Sequence, residues 1–331
     1  MKKLINNPEQ VVQDMLQGII AAHPNQYKLV PETTVLVRAD APVSGKVGLV
    51  SGGGSGHEPS HAGYVGKGML DGAVSGEVFT SPTPDQIFEA IKAVDGGKGV
   101  LLIIKNYTGD VMNFEMAAEM AEAEGIKVAK VVVNDDVAVE DSTYTTGRRG
   151  IAGTVLVHKI AGALAETGAS LEEVEAVANK VILNVRSMGM ALTPCTIPAA
   201  GKPGFSIGEK EMEIGMGIHG EPGIERSEIR TAEEVASELV EKVLDDLNLP
   251  DNSTVAVMIN GLGGTPLMEL YILNKKVSEI LSTRNIKVHE TFVGEYMTSL
   301  EMAGCSVSIL NMDEQLTTLL DAEAVTLGFK K

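Results

Sequence analysis

The ten residues 52–61, GGGSGHEPSH, constrain this chain more than any other stretch. They follow the apolar run 46–51 (KVGLVS), which reads as a buried parallel strand. Three consecutive glycines then leave bare backbone just past the strand's carboxyl end, where open α/β sheets place their ligands. Two imidazoles and a carboxylate, His57, Glu58 and His61, arrive within the next five residues. A connecting loop has no use for that much polar equipment, so the stretch reads as part of a site.

The rest of the first half alternates apolar runs with amphipathic segments. Asn7 and Pro8 predict a helix start, with Val11, Met15, Ile19 and Ile20 on its apolar face. Residues 99–104 (GVLLII) predict a second buried strand ending in Lys105-Asn106-Tyr107-Thr108-Gly109-Asp110. Helices are expected over 114–124, 151–165 and 171–190, with a third strand over 128–133. Strands alternating with helices predict a mostly parallel, doubly wound α/β sheet whose carboxyl edge collects polar residues.

The 331 residues exceed one ordinary domain, and the Pro- and Gly-rich stretch 192–205 (LTPCTIPAAGKPGF) marks a boundary. Units are therefore expected over 1–190 and 191–331. In the second, 211–216 alternates like a strand, and Thr231 with Glu234 makes a capping box opening a helix to about Leu247. Strands are expected over 254–259, 287–293 and 306–311, and helices over 266–282 and 313–320, with a second glycine loop at 261–264.

Hydrophobic residues make up 44% of the chain and mean hydropathy is +0.10, which suffices for buried cores. The net charge of −18 repels phosphate backbones and anionic lipid, so neither nucleic acid nor a membrane is an expected partner. The two cysteines, Cys195 and Cys305, lack metal spacing and read as free thiols of a reducing compartment. Met1-Lys2-Lys3 opens like an export signal, but Asn6, Asn7, Pro8, Glu9, Gln10 and Asp14 interrupt any apolar core. A cytoplasmic protein is expected.

His57-Glu58-Pro59-Ser60-His61 matches HExxH, which binds zinc when a continuous helix aims both imidazoles at one metal. Pro59 between them and glycines before them argue against a shared helical face. Gly215-Met216-Gly217-Ile218-His219-Gly220 is a literal GxGxxG, but it leads into Glu221-Pro222-Gly223, a turn, and not into a helix. There is no phosphate-binding GxxxxGK[ST], and Ser55 sits in no nucleophile elbow, because His57 replaces the second glycine. The remaining candidates are His57, Lys105, Asp110 and His219, in glycine-adjacent loops at predicted strand ends. Lys105 and Asp110 also fit an ordinary solvated pair. His23, His158 and His289 read as surface or satisfied core residues, and His61 as a structural residue within a helix. His219 stands apart, because the small residues of GIHGEPG let an imidazole approach a small ligand.

Several blocks together identify a family. GLVSGGGSGHEPSHAGYVGKGML, GEVFTSPTPDQI, GVLLIIKNYTGD, NDDVAVEDS, TTGRRGIAGTVLVHKI, CTIPAAGKP and MGIHGEPGIER resemble the substrate-binding (K) subunit of dihydroxyacetone kinases, over essentially the whole chain. The resemblance implies an N-terminal three-layer α/β/α domain with a mainly parallel sheet and a smaller C-terminal α/β domain with a mixed sheet. It also implies a homodimer. His219 matches the histidine that adds to the ketone carbon of dihydroxyacetone as a hemiaminal. Gly54, Ser55, Gly56 and His57 match the loop that hydrogen-bonds the substrate hydroxyls, and Lys105 and Asp110 match further contacts. Asp110 and His57 are both candidates for taking the proton of the attacking hydroxyl.

The resemblance is to the bacterial form, whose phosphate donor is a separate nucleotide-binding (L) subunit. That subunit is recharged by a phosphotransferase (M) subunit from phosphoenolpyruvate. No cofactor is expected on this chain, and ADP and magnesium belong to the partner. Three functions compete: the substrate subunit of the kinase, a non-catalytic paralogue that binds the same ketone and serves a transcriptional regulator, and a zinc hydrolase.

Overall fold

The computed structural model describes residues 2–141, 145–250 and 252–331. Met1 and Ser142, the last residue of the NDDVAVEDS block, lie outside the described residues. In chain order the first half forms α1 (Val11–Ala22), β1 (Tyr27–Leu29), β2 (Val35–Arg38), β3 (Gly48–Ser55), β4 (Gly72–Val78) and α2 (Pro84–Val94). It continues with β5 (Val100–Lys105), α3 (Thr108–Ala123), β6 (Val128–Val133), α4 (Thr154–Glu166) and α5 (Leu171–Asn184). The second half forms β7 (Val185–Ala191), β8 (Glu211–Ile214), β9 (Glu225–Glu228), α6 (Ala232–Leu247) and β10 (Thr254–Gly261). It ends with α7 (Leu267–Thr283), β11 (Lys287–Gly294), β12 (Gly304–Met312) and α8 (Glu314–Asp321).

Two six-stranded mixed sheets result, ordered β1-β2-β4-β3-β5-β6 and β11-β10-β12-β7-β8-β9. In the first, β4, β3, β5 and β6 pair parallel, β2 pairs antiparallel with β4, and β1 antiparallel with β2. In the second only β10 and β11 are parallel.

Strand β5 explains the layering. Leu101 and Ile103 face a core shared with α4 and α5, while Val100, Leu102 and Ile104 face another with α2 and α3. A strand covered on both faces reads as an unbroken apolar run, which is why 99–104 is legible in the sequence. Strand β10 repeats the arrangement: Ala256 and Met258 join the α4–α5 core, and Val255, Val257 and Ile259 join a third with α6 and α7. Helices α4 and α5 therefore form one layer packed against both sheets.

Four expectations need correction. Pro8 does not open α1; Asn7 accepts from the Gln10 amide in a turn, and the helix begins at Val11. The helix expected over 171–190 ends at Asn184, because Val185 turns extended and starts β7. The division at 190/191 thus falls inside a strand of the second sheet. Helix α3 begins at Thr108, so Asp110 lies in its first turn, while Lys105 ends β5. His61 is not within a helix but immediately precedes a short 3-10 turn, Ala62–Tyr64.

Candidate active site at the junction of the two sheets

The strand ends of the two sheets meet around His57. Strand β3 does not stop before its glycines; Gly52, Gly53 and Gly54 pair with Val74, Ser75 and Gly76 of β4. A Cβ on Gly53 would strike Lys105 Nζ, so the missing side chain there makes room for a buried lysine. After β3, the Gly56 and His57 carbonyls accept the amides of Leu300 and Thr298 at 2.7 and 3.2 Å. These bonds tie the glycine segment to the chain between β11 and β12.

His57 is fully buried and stacks on Phe79, ring centroids 5.1 Å apart. Its Nδ1 lies 2.7 Å from the Thr298 carbonyl. A carbonyl only accepts, so Nδ1 carries a proton. Burial, then the charges of His219 and Lys105, holds this imidazole well below its usual range.

His219 sits in the loop after β8, edge-on to Tyr107 and Phe79 at 4.6 and 5.2 Å. Its Nε2 is 3.0 Å from His57 Nε2, and its Nδ1 is 3.1 Å from Glu221 Oε1. The His219 amide donates to Glu221 Oε2 at 2.9 Å. Glu221 is 2% exposed; burial favours its neutral acid, but the charges of His219 and Arg149 overcome that and hold the carboxyl down at about 2. A carboxylate only accepts, so His219 Nδ1 is also protonated. With both outer nitrogens donating, the inner Nε2 atoms can hydrogen-bond only by sharing one further proton. The pair then carries one positive charge, opposite Glu221.

Lys105 is wholly buried, its Nζ 3.3 Å from Asp110 Oδ2 and 3.5 Å from the Gly52 carbonyl. Asp110 accepts the Ser81 hydroxyl on its other oxygen and profits from the amino end of α3. A solvated loop pair is thereby replaced by a buried ion pair.

A cavity of about 490 Å³ opens in front of these groups, lined by Gly54, Phe79, Ser81, Tyr107, Asp110 and His219, among others. Ser55 and Gly56 border a separate apolar cavity behind the segment. The Ser55 hydroxyl donates to the Gly76 carbonyl at 2.7 Å, and the Gly56 amide to Glu58 at 3.0 Å, so both polar groups are already engaged.

HExxH is no metal motif here, because its two imidazoles serve different partners: His57 faces His219, and His61 faces His158. Among the described residues the one cluster with metal-ligand spacing is His289, Glu290 and Asp321. There the Lys331 ammonium already pairs with both carboxylates, 2.6 Å from Glu290 and 2.8 Å from Asp321. Sequence reasoning missed Glu221, Phe79, Tyr107, Ser81 and Thr298. Only Glu221 carried a signal, two residues from the candidate histidine. Among the described residues no helix is long and apolar enough to cross a membrane.

The Dak1 domain model matches residues 17–328. The dihydroxyacetone-binding subunit DhaK of PTS-dependent dihydroxyacetone kinase 1 from Listeria innocua is 57% identical, over 95% of this chain and 95% of that protein. The crystal structure of the dihydroxyacetone kinase of C. freundii superposes with TM-score 0.89 at 37% identity, covering 99% of this chain and 60% of that one. A dihydroxyacetone kinase operon co-activator, Dha-DhaQ, superposes equally well, with TM-score 0.89 at 38% identity over 96% and 97%. This chain therefore belongs to the Dak1 domain family, among relatives named as dihydroxyacetone-binding subunits of dihydroxyacetone kinases.

Proposed function

We propose that the chain is the dihydroxyacetone-binding subunit of a phosphoenolpyruvate-dependent dihydroxyacetone kinase and holds its ketone as a hemiaminal on His219. The observation that carries this reading is the contact between Nε2 of His219 and Nε2 of His57, backed by Glu221 and opening on a cavity. On addition, Nε2 of His219 bonds to the keto carbon and the carbonyl π pair moves to oxygen. The proton shared between the two Nε2 atoms passes through His57 to that oxygen. The ring ends as a substituted imidazolium, still facing the Glu221 carboxylate, and no proton enters or leaves the protein.

This attachment also supplies specificity. Glycerol offers the same hydroxyls but no carbonyl carbon, so it cannot form the bond. Fixing the ketone also aims a terminal hydroxyl outward, which is most of what phosphoryl transfer asks of the acceptor side. Asp110, held by Lys105 and Ser81, and the freed Nε2 of His57 are the candidate bases for that hydroxyl. Gly54 brings backbone to the cavity wall, and Ser55 and Gly56 hold the segment in place. The phosphate comes from a nucleotide-binding (L) partner that carries ADP and magnesium and is recharged by an M subunit. The chain works as a homodimer in the cytoplasm.

The test is intact mass of the protein with dihydroxyacetone and with glycerol under native conditions, followed by turnover with the ADP-loaded partner. Adduct with the ketone alone, plus turnover, is expected. No ketone adduct would end the covalent reading. The likeness to the operon co-activator favours one alternative, in which the adduct is a signal to a transcriptional regulator. Adduct without turnover selects it.

A further inference from the structure

Arg149 is fully buried in the TTGRRG block ahead of α4, and the chemistry proposed above leaves it without a part. Its Nε and Nη2 fork onto Asp136 Oδ2 at 2.8 and 2.7 Å, and Nη2 also donates to the Gly215 carbonyl at 2.7 Å. Gly215 opens the loop that carries His219. The remaining nitrogen, Nη1, is buried and has no hydrogen-bond partner among the described residues. It faces Gly217, where a Cβ would lie 2.7 Å from Nη1 and would strike the Glu221 carboxylate. The guanidinium and the carboxylate thus flank one missing side chain, a few ångströms apart.

We propose that Arg149 is a positioning residue for the His219 chemistry: anchored on Asp136 and the Gly215 carbonyl, its guanidinium stands beside the Glu221 carboxylate and holds that anion beneath the imidazole. The inference rests on the covalent reading above. A substituted imidazolium needs a permanent anion behind it, whereas a carboxyl as buried as Glu221 prefers to be neutral. A guanidinium supplies the opposite bias throughout, because it stays charged. Arginine also suits the place because its fork serves Asp136 and the Gly215 carbonyl while a third nitrogen faces Gly217.

The experiment follows the Glu221 carboxyl by carbon-13 NMR in ligand-free protein, with Glu221→Gln assigning the signal. Arg149→Met is expected to raise the Glu221 titration by about 1–3 pH units. Arg149→Lys is expected to raise it too, since one ammonium cannot serve Asp136 and Glu221 together, and it stands in should the Met variant not fold. The acid limit of adduct formation with dihydroxyacetone, read by intact mass, moves up in step. Glu221→Gln alone lowers adduct formation roughly 10- to 100-fold, and Arg149→Met in that background costs nothing further. An unmoved Glu221 titration, or losses that add in the double variant, overturns the proposal and leaves Arg149 a packing residue. The NMR arm needs no ligand, so a wild type without adduct sinks the covalent reading separately.

Discussion

Two pairs of histidines lie in this molecule, each with ring nitrogens 3.0 Å apart, and they are not equivalent. His57 and His219 have a carbonyl behind one ring, a carboxylate behind the other and a cavity in front. His61 and His158 are sealed in, with Ser51 Oγ 3.4 Å from His61 Nδ1 and, among the described residues, no partner for His61 Nε2 or His158 Nδ1. Burial, then the charge of Lys105, keeps both of these rings neutral, His158 down at about 3. The imidazole contact is common to both pairs. What separates them is the anion behind His219, which lets a positive ring exist, and the open space that lets a ketone reach it.

The sharpest way to break this contrast is His219→Ala. It should remove the adduct seen by native mass spectrometry and cut turnover by about 10²-fold or more, because any ketone then binds unattached. Asp110→Asn should lower turnover by about 10²- to 10⁴-fold while the adduct persists, as measured with the nucleotide-loaded partner. If the adduct disappears as well, Asp110 belongs to attachment and not to the later step.

His158→Leu addresses the other pair. It should cost about 1–3 kcal/mol of stability, read from the urea midpoint, and leave adduct formation unchanged. Loss of the adduct in this variant would mean that the two pairs act as one network.

The same pair also carries a pH dependence. His61 and His158 have folded values depressed below the ordinary imidazole value of about 6.5. Their contribution is therefore fully present above that pH and is lost as pH falls, since only the unfolded chain then takes up the protons. Each contributes up to about 1.4 kcal/mol per pH unit on the acid side. Denaturant melts at pH 7.5 and 5.5 should show the decline, and His158→Leu should make it shallower by the share of one ring. A wild-type slope that the variant leaves unchanged would show that these rings are not held neutral.

How legible each feature was follows from how locally it is encoded. Strands β5 and β10 are covered on both faces and betray themselves as apolar runs. The capping box of Thr231 and Glu234 was readable because its two bonds span only three residues. Strand β7 was hidden because 185–190 continues the apolar spacing of α5 with no Gly or Pro before Gly189. Strand β9 (ERSE) is a polar edge strand and carries no apolar signal at all. At the site, His57, Lys105, Asp110 and His219 stood out by chemistry beside glycine. Glu221 stands only two residues from that histidine, but in a Glu-Pro-Gly turn, and proximity in sequence does not say that its carboxylate curls back onto the ring.

From its residues alone the chain determined which segments are buried strands, where glycine bares the backbone and which titratable groups stand at strand ends. Only the tertiary structure decided that His57 pairs with a ring 162 positions away while His61, four residues on, turns to His158. Hydrophobic pattern records whether a position is inside, a property each strand or helix carries by itself. Protonation and nucleophilicity depend on which donors and acceptors stand within about 3 Å, and here those arrive on different sheets.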